Sequence, residues 1–96
     1  MAIGAIQAIK EAGLKPGSDI KIVSIDGVPD IFKAMSSGEA NATVELTPNM
    51  AGPALDALIV LKKDGTQPPK FIQTESRLLQ PDTAKQEYEL KKSLGY

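Results

Sequence analysis

A β-branched run, Ile20-Lys21-Ile22-Val23-Ser24-Ile25, that stops at Asp26-Gly27 constrains this chain more than any other feature. The run reads as a strand, and its Asp-Gly stop delivers a carboxylate to the carboxyl end of that strand, where open α/β sheets bind ligands. A helical pattern, Met1 to Ala12, precedes it, and a shorter one, Asp30 to Ser37, leads to a second strand-like run, Asn41 to Leu46. Helix, strand, helix, strand is the order of parallel βαβ units, so Asp26 and Glu45, near the ends of the two strands, are predicted to lie on one rim.

The rest of the chain fits an α/β class. Ala2, Ile6 and Ile9, and Ala5, Ile9 and Ala12, recur at three- and four-residue spacing, which predicts a helix lying on a sheet and ending at Gly13. The strand Ile20 to Ile25 is nearly continuous in apolar residues, a pattern that suits cover on both faces. Ile31, Ala34 and Met35 point the second helix inward, and Gly38 closes it. In Asn41 to Leu46, Ala42, Val44 and Leu46 alternate with Asn41, Thr43 and Glu45. Thr47-Pro48-Asn49 breaks that strand. A third helix then starts between Asn49, a candidate cap, and Pro53, with Ala51, Leu55, Leu58 and Ile59 as its core stripe and Asp64-Gly65 as its stop. Pro68-Pro69 marks a loop, Phe71 to Leu79 reads as extended, and Asp82 to Leu94 as a helix with Thr83 and Gln86 at capping-box spacing and Glu87 and Lys91 four apart.

Composition narrows the chemistry. The 96 residues include no Cys and no His, which excludes thiol nucleophiles, the Ser-His-Asp arrangement, an imidazole base and the usual zinc ligand sets. No catalytic residue and no metal or cofactor site is expected, and the chain does not read as an enzyme. Eleven basic residues against twelve acidic ones give a net charge of −1, without the footprint of a nucleic-acid partner. No apolar run approaches a membrane span, and the N-terminal residues carry no charged leader pattern.

Met1-Ala2-Ile3-Gly4-Ala5-Ile6-Gln7-Ala8-Ile9-Lys10-Glu11-Ala12-Gly13, then Val23-Ser24-Ile25-Asp26-Gly27-Val28-Pro29-Asp30, then Ala42-Thr43-Val44-Glu45 and Pro48, taken in order, resemble the periplasmic sugar-binding proteins of ABC importers, of the ribose-binding type. The likeness covers essentially the whole chain. It is strongest to the galactofuranose-binding members across Asn41 to Pro53 and from Pro81 to Tyr96.

The resemblance implies a type I periplasmic binding protein, with two Rossmann-like lobes joined by a three-segment hinge and a sugar in the cleft between them. This chain resembles the last third, a partial Rossmann-like parallel sheet. Residues 1–46 would belong to the carboxyl-terminal lobe, 47–67 to a hinge crossing and a helix of the other lobe, and 68–96 to a return segment and tail helix. The matching strand end in the family carries a sugar-binding Asp, here Asp26, whose carboxylate can accept several charge-assisted hydrogen bonds from hydroxyls. A polar residue on the hinge strand also reaches the sugar. Glu45 is the best match, an ungapped comparison sets Leu46 at that position, and Thr47 is the other polar neighbour. The Asn-Asp pair that the family places ahead of the first helix does not occur here, so the chain alone is expected to bind a galactofuranose-, galactose- or ribose-like sugar weakly or not at all. The implied partners are that sugar and a membrane permease, and the implied location is the periplasm. Two other readings stay open: a self-associating α/β module, including a homodimer, and the effector domain of a sugar-responsive transcription regulator.

Overall fold

The computed structural model describes residues 1–95; Tyr96, the last residue of the tail, lies outside the described residues. Seven elements follow in order: α1 (Ala2–Glu11), β1 (Val23–Asp26), α2 (Pro29–Ser36), β2 (Ala42–Leu46), α3 (Ala51–Asp64), β3 (Ser76–Leu79) and α4 (Ala84–Leu94). The sheet order is β1-β2-β3, and β1 and β2 are parallel, with Val23 beside Ala42, Ser24 beside Thr43, Ile25 beside Val44 and Asp26 beside Glu45. This is the α/β class with the parallel unit that the alternation predicts. The chain divides into two compact units, residues 1–46 with the segment from Arg77 onward, and Thr47–Ser76.

In the larger unit, α2 packs against both α1 and α4. Its Ile31, Phe32, Ala34 and Met35 are buried and form the core with Ile6, Ile22, Ala40, Leu79 and Ala84. Pro29 starts α2 at a position whose amide would have no helical partner in any case. Both α1 and α2 stop in the same way. Gly13 (φ +79°) and Gly38 (φ +82°) take the left-handed conformation, their amides donate to Lys10 O and Met35 O, and the next amides donate to Ile9 O and Ala34 O.

β1 starts three residues later than the β-branched run suggests, because the backbone before it is used otherwise. Gly17 N–H donates to Ile20 O at 2.8 Å, closing a turn, and a β-carbon at Gly17 would collide with the Gly38 carbonyl. Asn41 then grips both backbone groups of Ile22: its Oδ1 accepts from Ile22 N–H at 2.8 Å, and its own N–H donates to Ile22 O at 2.9 Å. Its Nδ2 donates to Gly17 O at 3.1 Å, so one side chain ties the turn to the start of both strands.

The two faces of the sheet are covered unequally. The alternation in β2 is as read, yet the polar set is inside: Thr43 and Glu45 are buried while Val44 and Leu46 are exposed. Across from them Val23 and Ile25 are 76% and 72% exposed, so β1 is covered on one face rather than two. The hydroxyls explain how Thr43 tolerates burial: Ser24 Oγ donates to Thr43 Oγ1 at 2.8 Å, and Thr43 Oγ1 donates to Ser24 O.

The smaller unit consists of α3 and the extended chain that follows it. None of α3 is buried, and the expected core stripe, Leu55, Leu58 and Ile59, stands about half exposed. Leu58 and Leu61 line a shallow groove with Pro68, Pro69 and Ile72. Gly65 (φ +68°) ends the helix, as its position suggests. Only Ser76–Leu79 of the expected Phe71 to Leu79 extension is a strand. Neither expected cap forms: Thr83 Oγ1 turns back to Gln80 O, and Asn49 lies before the cap position, which Met50 occupies.

Candidate functional site

β1 carries its chain to Asp26 and there bends sharply. Asp26 is the one non-glycine residue at positive φ among the described residues, at +99°, and Gly27 follows at +69°. An aspartate held there is strained, and such strain persists only where the surroundings impose it. The side chain of Asp26 is exposed at the strand end while Gly27 is buried beneath it. Gly27 lies against Glu45, so a β-carbon at Gly27 would approach Glu45 Cα and Cβ to 3.4 Å and Cγ to 3.6 Å. The register that pairs Asp26 with Glu45 thus brings together two of the three residues singled out from the sequence.

Their electrostatics differ. Glu45 is buried, and its carboxylate accepts from Arg77 Nη2 at 2.9 Å, from Arg77 Nε at 3.3 Å and from Lys91 Nζ at 2.8 Å. Arg77 turns its other edge to Glu87, at 3.1 and 3.2 Å. The Arg77 hydrogen bonds hold the Glu45 carboxyl below the usual carboxylate range; burial opposes them, and the Lys91 ammonium adds to the lowering. Arg77 is itself driven further towards its charged form, first by Glu45 and then by Glu87. With three donors on about four lone-pair positions, Glu45 retains room for at most one further hydrogen bond.

Thr47 begins the smaller unit, one residue beyond β2, and its Oγ1 accepts from Asn49 N–H at 3.1 Å. An open groove of about 640 Å³ runs along the free edge of β1, between Met1 and Ala5 of the α1 region and Val23, Ile25 and Val28, with Asp26 at its margin. Its lining is mostly apolar, and it supplies too few convergent polar groups to hold a polyhydroxylated ligand by itself. Among the described residues no cluster of potential metal ligands occurs, and no helix is long and apolar enough to cross a membrane.

Arg77 and Lys91 escape a sequence reading. Lys91 appears there as the i+4 partner of Glu87, whereas the fold sends Lys91 to Glu45 and Glu87 to Arg77. Arg77 is the single arginine of the chain, placed inside a strand, which is the only signal that marks it.

Fold and sequence together place the chain with the periplasmic sugar-binding proteins of ABC transporters, in the ribose-type group. No family model matches it. It is 72% identical, over its whole length, to the galactofuranose-binding protein of Escherichia coli. Among solved structures, a galactofuranose binding protein superposes with a TM-score of 0.90 at 72% identity over 98% of the chain. The periplasmic component of the arabinose ABC transporter from Shewanella sp. ANA-3, bound to α- and β-L-arabinofuranose, superposes with a TM-score of 0.89 at 53% identity over 98% of the chain. The chain spans about a third of the length of these relatives, 30% of the first and 32% and 31% of the other two.

Proposed function

We propose that this chain supplies the Asp26 side of a sugar-recognition site in a substrate-binding protein that serves an ABC importer in the periplasm, delivering a small sugar to a membrane permease. The backbone of Asp26 carries this reading: a non-glycine residue is held at φ +99° at the carboxyl end of a parallel strand, which leaves its carboxylate exposed. A carboxylate so placed accepts charge-assisted hydrogen bonds from neighbouring hydroxyls. The relatives that bind galactofuranose and L-arabinofuranose favour a sugar in its five-membered ring form. Glu45 contributes at most one bond of its own and otherwise supports Asp26. Thr47 is proposed as a further contact.

Saturation-transfer NMR with methyl galactofuranoside, galactose and ribose detects even millimolar affinity. The expected result is a furanoside signal that Asp26→Asn abolishes and Thr47→Ala weakens. An undiminished signal in Asp26→Asn would overturn the assignment. A second reading, self-association through the sheet, has one observation in its favour: the contiguous exposure of Val23, Ile25, Val44 and Leu46.

A further inference from the structure

We propose that Arg77 is a positioning residue for the Asp26 carboxylate, acting through Glu45. The inference rests on the reading of Asp26 given above but can fail independently of it. Arg77 lies on β3 and grips Glu45 with two nitrogens, at 2.9 and 3.3 Å, while Lys91, buried on α4, holds the same carboxylate at 2.8 Å. With its far end fixed from two elements, the Glu45 side chain cannot swing. Its near end, Cα to Cγ, forms the surface on which Gly27 sits. Gly27 rests on that surface at van der Waals range, where a β-carbon would lie 3.4–3.6 Å from Glu45, and it directly follows the strained Asp26 in the chain. The strain at Asp26 therefore has an identifiable support running from Arg77 to Glu45 to Gly27, with Glu87 steadying the far edge of the guanidinium at 3.1 and 3.2 Å. Arg77 has a second placement that suits this role. The chain leaves the larger unit after Leu46 and re-enters it at Arg77, so the Glu45–Arg77 pair joins the two connecting segments where they meet that unit.

The test reads the backbone of Asp26 directly, without sugar. At a positive φ the amide and α protons of one residue are close, so the intact 96-residue chain should give Asp26 a strong intraresidue HN–Hα NOE. In Arg77→Gln this NOE is expected to fall to the level of an ordinary extended residue and the Gly27 amide to shift. In Glu87→Gln, which leaves the pair with Glu45 intact, both signals should persist; this separates positioning from general loss of stability. Should Arg77→Gln fail to fold, Arg77→Lys decides, because it keeps the charge but not the two-nitrogen grip and should weaken the NOE. An unchanged Asp26 NOE in whichever of these variants folds overturns the inference. Furanoside saturation transfer then separates the two proposals. Its loss in both Arg77→Gln and Asp26→Asn supports both. A signal that survives Asp26→Asn, with the backbone change still present in Arg77→Gln, refutes the sugar role of Asp26 and leaves the positioning intact.

Discussion

Asp26 answers to two demands that pull against each other. Its backbone would be at ease as glycine, since a non-glycine residue at φ +99° costs on the order of 1–3 kcal/mol, yet a glycine there would bring no carboxylate to the proposed sugar contact. Asp26→Gly is therefore expected to raise the unfolding free energy measured in urea by about 1 kcal/mol, once the greater freedom of glycine in the unfolded chain is allowed for, while removing any furanoside signal. Asp26→Asn should leave stability within about 0.5 kcal/mol, because Asn also tolerates positive φ, and should still lose the signal. A fall in stability in Asp26→Gly would mean that the aspartate makes a structural contribution larger than its strain. Glu45 contrasts with it: the two carboxylates are register partners, but Glu45 is buried and occupied by Arg77 and Lys91.

At the scale of elements, the grip of Asn41 matters most. Two hydrogen bonds from one side chain, to Ile22 N–H at 2.8 Å and to Gly17 O at 3.1 Å, fix where the 15–20 turn ends and β1 begins. Asn41→Ala leaves the Ile22 amide of a buried residue without its acceptor, so a loss of about 2 kcal/mol is expected, with faster hydrogen exchange at Ile22 as its local sign. Retained protection at Ile22 would show that another acceptor takes over. The same region shows which features a sequence discloses. Helix stops at Gly13, Gly38 and Gly65 and the β2 alternation are local properties, fixed by backbone sterics and period, and they read directly. The choice of buried face is not local. Ala42, Val44 and Leu46 look like the inner face of β2 by hydropathy, but the inside belongs to Thr43 and Glu45, because Ser24, Arg77 and Lys91 arrive from 19, 32 and 46 residues away to satisfy them. The strand end at Asp26 was legible because a strand end is a local event. Arg77 was not, because its partners are chosen by the fold. The capping box at Thr83 failed for a related reason: its hydroxyl found the nearer Gln80 carbonyl.

For the molecule as a whole, the cluster of Glu45, Arg77, Glu87 and Lys91 couples β2, β3 and α4, and Glu45 is the member through which acid is expected to act. The Glu45 carboxyl is held below its ordinary value near 4.5, so its stabilisation is present above that value and is lost as the pH falls through the lower folded value. Arg77 stays charged throughout, so the acid limb belongs to the carboxylate. Urea midpoints at neutral pH and near pH 3 should show this loss, and Glu45→Gln should reduce it while costing about 2 kcal/mol at neutral pH by removing the charge from the bonds that Arg77 and Lys91 make to this side chain. An unchanged acid limb in that variant would place the effect elsewhere. The opposite face of the sheet is the surface where the self-associating reading is tested. Val23, Ile25, Val44 and Leu46 are 76%, 72%, 40% and 52% exposed, and β1 is an edge strand with no neighbour beyond it among the described residues. Contiguous apolar faces beside open edges drive association. Sedimentation equilibrium of the 96-residue chain should therefore give an apparent mass that rises with concentration. Ile25→Thr combined with Val44→Thr should reduce that rise and alter stability by only about 0.5 kcal/mol, since both side chains are exposed. If the double variant associates as strongly as the parent, the contact lies off this face, and the exposed Leu55, Leu58 and Ile59 stripe of α3 becomes the surface to substitute next.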